Sequence, residues 1–191
     1  MHKGRLEAFS DGVIAIIITI MVLELRVPDG TDLVALRPLL PVFISYALSF
    51  VFLGIYWSNH HHLMQAVKSV NGPILWANLH LLFWLSLIPF VTRWLGVNSF
   101  SAWPVALYGA DLLFSAIAYF ILVRVLLSHH GRNSTLAVAL GSDFKGKISI
   151  VIYVAALPLA FFNSWLAYGL FGLVALMWLV PDRRIEKTLS R

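Results

Sequence analysis

Eleven consecutive residues, Val13 to Leu23, contain one polar side chain, Thr19, and they follow directly on a polar cluster of Arg5, Glu7, Ser10 and Asp11. The run is rich in β-branched residues, which in a soluble chain would suggest a buried strand. Its setting decides otherwise. Counted from Leu6 to Leu25, it is about the ~20 residues that cross a bilayer as a helix, and further stretches like it follow along the chain. Hydrophobic residues make up 60% of the sequence and charged residues only 12%, too little polar surface to coat a soluble domain of 191 residues. The expected fold is an all-α integral membrane protein.

Six apolar spans can be drawn: Leu6–Leu25, Leu39–His60, Ile74–Leu95, Trp103–Leu127, Ile148–Asn163 and Trp165–Val180. The last two are broken only by Asn163 and Ser164, and are read as a tight hairpin because their combined length is too great for one ~30 Å crossing. Pro89 and Pro158 fall inside spans, where neighbouring helices can satisfy the carbonyls they free. Pro28 to Asp32 and Asn71 to Pro73 read as turns, and the Ser128–Gly146 connection, with His129, His130 and Arg132, as a loop. One six-helix membrane domain, residues 1–191, accounts for the chain. No internal repeat and no soluble domain able to hold an enzyme site is apparent.

The basic residues give the orientation. With both termini on one side, that side receives Lys3, Arg5, Lys68, Arg124, Arg132, Lys145, Lys147, Arg183, Arg184, Lys187 and Arg191, while the other receives only Arg26, Arg37 and Arg93. Positive charge concentrates on the cytoplasmic face, so both termini are expected there, in the cell membrane. The net charge of +5 is spread between apolar spans, which argues for headgroup anchoring and against nucleic acid. Cysteine is absent, which excludes disulfides and thiolate metal sites, and the first apolar span is too long for a signal peptide and has no cleavage site after it.

On a helix turning about 100° per residue, Gly12, Ile16, Thr19 and Leu23 fall on one narrow stripe, while Asp11, Ala15, Ile18 and Val22 form a second. The first stripe can meet lipid or another helix. A carboxylate entering a membrane needs a partner, and donors level with Asp11 are found in Trp57, Asn59 and His60 and in Trp76, Asn78 and His80. Arg5 and Ser10 complete a candidate polar clasp of the first helix on the second and third. His60, His61 and His62 point about 100° apart and cannot converge on one ion without a break, and no His-Glu-x-x-His pattern is present, so no metal site is expected. Asp111, near the middle of the fourth span, is another membrane carboxylate and a functional candidate. No Gly-x-Ser-x-Gly elbow supports hydrolysis, and no enzyme activity or cofactor is expected.

Arg5-x-x-x-Phe9-Ser10-Asp11 at the start of the first span, with Trp57, Asn59, His60, Trp76, Asn78, His80 and Ser86-Leu-Ile-Pro89-Phe-x-Thr92, resembles the signature of the endolysosomal potassium channel family, transmembrane protein 175 and its prokaryotic relatives. The resemblance implies a potassium-selective channel in which the first helix of each subunit lines a central pore of a homotetramer. It implies a constriction at Ile16, a polar selectivity layer at Thr19 and a further apolar ring at Leu23, the residues of the angular stripe. A different reading of the same residues is a proton-coupled transporter using Asp11, His60, His80 and Asp111 as relay groups; a third is a membrane protein with only an assembly role.

Overall fold

The computed structural model describes residues 3–131, 134 and 144–179, and every described segment of regular structure is helical. The helices are α1 (Lys3–Leu23), α2 (Leu40–Gln65), α3 (Gly72–Val97), α4 (Ala102–His130), α5 (Phe144–Phe162) and α6 (Ser164–Leu179), with a 3-10 segment, Leu33–Leu39, leading into α2. The six expected spans are therefore present as six helices, five of them long and apolar enough to cross a membrane. The sixth has 16 residues up to Leu179, and the expected end of its span, Val180, lies outside the described residues.

Local chemistry sets the helix starts. Asn71 accepts the Ile74 N–H at 3.1 Å and caps α3, with Pro73 in the first turn, where its missing N–H costs nothing. Asp32 does the same for the 3-10 segment, accepting from Ala35 N–H at 3.2 Å. The hairpin expected at Asn163 is present: Asn163 separates α5 from α6 and its side chain accepts the Leu166 N–H at 3.1 Å. Between α3 and α4, Ser99 and Phe100 adopt left-handed backbone with φ of 47° and 60°, a conformation costly for residues with a Cβ. The Phe100 ring is buried against Trp165 and Tyr168 of α6, and that contact holds the turn.

Several boundaries depart from the sequence reading, two of them at histidines. The second span continues past His60 to Gln65, which places His61 and His62 on the helix. The fourth runs to His130, so His129 and His130 are helical and not part of a loop. Both histidines are tied to the α2–α3 connection: His130 accepts the Lys68 N–H at 3.2 Å, and His129 contacts Ser69 and Asn71 at 3.2 Å each. Polar residues end an apolar span in the sequence, whereas the backbone keeps its helix until its carbonyls find other partners. At the far end of the expected loop Phe144, Lys145 and Gly146 already belong to α5, and of the residues between only Gly131 and Ser134 are among those described.

The core has two halves. One joins α1 to the second half of α2, the first half of α3 and the end of α4, through Leu6, Ile14, Ile17, Met21, Leu63 and Leu81 among others. The other joins the opposite halves of α2, α3 and α4 to α5 and α6 around Tyr108, Tyr153 and Phe171. In the second half Ser49 bonds Thr92 at 2.7 Å and Tyr108 at 3.0 Å, so three hydroxyls from three helices satisfy one another. α1 packs chiefly on α3 and α2 and is left uncovered along the rest of its circumference.

Close approach of α2 and α3 depends on Gly96. A Cβ there would lie 2.6 Å from the Val42 Cα and 2.6 Å from the Ser45 Oγ. The obstruction includes backbone, which cannot rotate away, so Gly96→Ala should separate the two helices. The expected result is a loss of about 1–3 kcal/mol, the usual cost of overpacking, read as a lower unfolding temperature in detergent. Gly54→Ala, where nothing lies within 4 Å, should leave that temperature unchanged.

Candidate functional site

α1 divides lengthwise into two faces. Leu6, Ser10, Ile14, Ile17 and Met21, at intervals of 4, 4, 3 and 4, are buried against the bundle. Arg5, Phe9, Gly12, Ile16, Thr19 and Leu23, at intervals of 4, 3, 4, 3 and 4, are all exposed. The contrast is steep: Ile14 is 1% and Ile17 4% exposed, against 59% for Ile16 and 80% for Leu23. The stripe of Gly12, Ile16, Thr19 and Leu23 is thus an open face of the subunit, and Arg5 and Phe9 extend it toward the N-terminus. Its neighbour is mixed, with Asp11 and Ile18 half-buried and Ala15 and Val22 exposed.

Thr19 carries the only side-chain hydroxyl on that face. Its Oγ1–H donates to the Ile16 carbonyl one turn back, at 2.9 Å. With the proton committed to the helix, the lone pairs of Oγ1 are what the side chain offers outward. A group that presents oxygen lone pairs and no donor suits a cation.

The clasp forms in part. Ser10 Oγ donates to the Leu6 carbonyl at 2.9 Å and accepts from Asn78 Nδ2 at 2.9 Å, and Asn78 Oδ1 meets His60 Nε2 at 2.8 Å. Ser10, Asn78 and His60 are each fully buried. The amide orientation fixes the proton: Asn78 gives its N–H to Ser10, so its oxygen accepts, and His60 Nε2 must be the donor. This chain ties α1 to α3 and α3 to α2 at one depth. Asp11 Oδ1 and His60 Nδ1 are buried beside it with no hydrogen-bond partner among the described residues.

The other signature residues do not join this chain within the subunit. Arg5 is exposed and forms no ion pair with Asp11. Phe9, Trp57 and Trp76 turn outward, Trp76 being 75% exposed. Asn59 bonds the Ile55 carbonyl of its own helix at 2.8 Å, and the exposed His80 accepts from Trp84 Nε1 at 3.0 Å. The aromatic and amide N–H groups that would serve a clasp serve other partners equally well, so residue type could not separate them.

Two polar contacts at the ends of α1 lie outside the sequence reading. Glu7 Oε1 meets His61 Nδ1 at 3.2 Å, while His61 Nε2 contacts Gln65 Nε2 at 2.8 Å and its ring stacks on Trp57. At the opposite end Glu24 pairs with Arg93 of α3. Glu24 is the one acid at the end of the first span and Arg93 the one base near the end of the third, and that coincidence of depth was the available signal.

The relay reading loses its geometry. Asp111 is buried in the other core half, within electrostatic reach of Tyr56 and Tyr108, and neither its carboxylate oxygens nor the Ser115 hydroxyl one turn on finds a hydrogen-bond partner among the described residues. With His80 turned outward, Asp11, His60, His80 and Asp111 form no continuous chain.

A family model described as the endosomal/lysosomal potassium channel TMEM175 matches residues 5–89, the stretch holding nearly all of α1, all of α2 and the signature as far as Pro89. A protein of a Chryseobacterium species named as a potassium channel is 59% identical over 190 residues, covering 100% of this chain and 99% of its own length. The chain belongs to the TMEM175 family. Another relative, a potassium channel of Streptomyces collinus, is 30% identical over 93% of this chain and 91% of its own. The crystal structure of a lysosomal potassium-selective channel TMEM175 homolog from Chamaesiphon minutus superposes with a TM-score of 0.79, at 27% identity, over 93% of this chain and 96% of that one. The TMEM175 membership accounts for the helix order and the signature together, and the relay alternative finds no support in it.

Proposed function

We propose that this chain is the subunit of a potassium-selective channel of the cell membrane, a homotetramer with both termini cytoplasmic, in which α1 from each subunit lines a central pore. The observation that carries this is the open face of α1: an apolar stripe with one hydroxyl, on a helix that its own subunit covers along one side only. A single helix cannot enclose a pore, and identical faces related by a closed axis can. Potassium is the ion named for the relatives from Chryseobacterium and Streptomyces collinus and for the superposed structure.

Each position on the stripe then has a task. Four Ile16 side chains form an apolar constriction, which excludes water and makes ion entry costly when narrow. Four Thr19 oxygens, one turn further along, replace part of an ion's hydration shell and favour potassium, whose water is held less tightly than sodium's. Leu23 forms a further apolar ring beyond them. The buried Ser10–Asn78–His60 chain fixes the rotation of α1, and so decides which residues face the axis. Arg5, Phe9, Trp57, Trp76 and His80, exposed in the subunit, are available for contacts between subunits or at the cytoplasmic entrance. No step in passive permeation requires a cofactor, a second substrate or a bond change.

Purified protein in liposomes tests the reading. An imposed potassium gradient should set a Nernst-like voltage with no added co-substrate, and cross-linking in mild detergent should saturate at four subunits. Thr19→Val removes the lone pairs and keeps the volume. It should lower the potassium/sodium permeability ratio roughly tenfold, equivalent to about 1.4 kcal/mol, while current persists. An unchanged ratio would remove Thr19 from the selectivity layer, and a conducting monomer would remove the pore assignment altogether.

A further inference from the structure

Glu24 and Arg93 stand where an outer entrance to the proposed pore would be. Glu24 follows Leu23 directly at the end of α1, and both charged groups line the open cleft between α1 and α3, whose walls include Ile16, Ile20 and Phe90. Arg93 lies on a stripe of α3, with Phe83, Ser86, Phe90 and Val97, that the subunit leaves exposed beside the open face of α1. Each side chain of the pair is more than a third exposed, 44% for Arg93 and 34% for Glu24. Ion pairs with that much water around them add little to stability. What the pair does is cancel a charge at this place.

We propose that Arg93 sets the electrostatic attraction of the outer entrance for cations, by neutralising the Glu24 carboxylate of its own subunit. The proposal rests on the α1 pore reading. Rings of carboxylates at a channel entrance raise the local cation concentration, and their reach grows as salt falls, from about 10 Å at 0.1 M to about 30 Å at 0.01 M. Glu24 lies about 80° around the helix from Ile16, on the flank of the stripe, so its influence on the axis is through the field and not through contact. The other charged side chains of this face are Arg26, Asp29, Asp32 and Arg37, and Asp32 is engaged in capping. Three acids and three bases therefore balance there, and the pair at the entrance is itself neutral. A channel built in this way admits cations without concentrating them, and keeps divalent ions from accumulating at its outer end.

Single-channel recording in planar bilayers tests it, with Arg93→Gln, Glu24→Gln and the double variant compared at low and high potassium. Arg93→Gln leaves four unopposed carboxylates and should raise inward conductance about two- to threefold in 10 mM potassium, with the excess vanishing near 500 mM as screening sets in. It should also make the current more sensitive to external calcium. Glu24→Gln leaves four unopposed guanidinium groups and should lower the low-salt conductance. The double variant, neutral again, should return close to the wild type, and Arg93→Lys should resemble it. Opposite signs for the two single changes cannot come from a merely structural pair, whose loss would act in one direction. If both changes act in the same direction, or neither depends on salt, the proposal is overturned. Should Arg93→Gln fail to fold, Glu24→Gln and Arg93→Lys still decide the sign. Ile16→Asn in the same bilayers separates the two levels. If it raises conductance while the charge variants do nothing, the pore reading stands and the charge proposal falls. If it too has no effect, both fall.

Discussion

Ile16→Asn should raise potassium conductance severalfold while leaving the subunit fold intact. Ile16 is 59% exposed and lies outside the buried core, so a polar side chain of similar length removes little packing. Placed four times around an axis, it replaces an apolar ring by amides that hold water, and the barrier to ion entry falls. The controls come from the same helix. Ile14→Asn and Ile17→Asn put an amide into the buried stripe with no partner for it, and folded protein should be lost. Ile18 is half-buried and packs against the same core, so Ile18→Asn should lower yield without raising current. If Ile18→Asn opens the channel and Ile16→Asn does not, α1 is rotated relative to the proposed axis.

Asn78→Leu is expected to be the most damaging single change in the signature. It strands the His60 Nε2–H and removes the donor from Ser10 Oγ, both in a fully buried place. Each unsatisfied buried group costs about 1–3 kcal/mol, against a total stability of about 5–15 kcal/mol for an ordinary domain. Folded yield and unfolding temperature in detergent should both drop. His80→Ala, two residues along the same helix but exposed, should leave the unfolding temperature of the subunit unchanged. Ser10→Ala combined with Asn78→Leu should cost less than the two changes summed, because they remove partners from one network. Strict additivity would mean that Ser10 and Asn78 are neighbours without coupling.

What the sequence made legible follows from the solvent. Spans are set by bilayer thickness, so all six helices and the hairpin at Asn163 could be placed from apolar runs. The open stripe of α1 could be drawn because a helix has one period, and Gly12, Ile16, Thr19 and Leu23 obey it. The rotation of that stripe relative to the bundle was not legible: both stripes of α1 are almost equally apolar, and only packing chooses between them. The clasp was half legible for a related reason. Ser10, Asn78 and His60 were named for their hydrogen-bonding capacity, which Trp57, Trp76 and His80 share, and depth alone does not tell which way a side chain turns. The ends of α2 and α4 were set short at His60 and Leu127 because composition turns polar there, whereas helical hydrogen bonding continues for five and three residues more.

The lengthwise division of α1 has a use in protein engineering. One set of positions, 6, 10, 14, 17 and 21, anchors the helix, and a disjoint set, 12, 16, 19 and 23, faces away from the anchor. On the proposed pore reading, a combinatorial library confined to the second set would sample conduction properties on a constant scaffold, with expression level as a built-in check that the partition was drawn correctly. On the same reading, what passes through the assembly could be retuned by changing a few outward side chains, with no compensating change in the buried set.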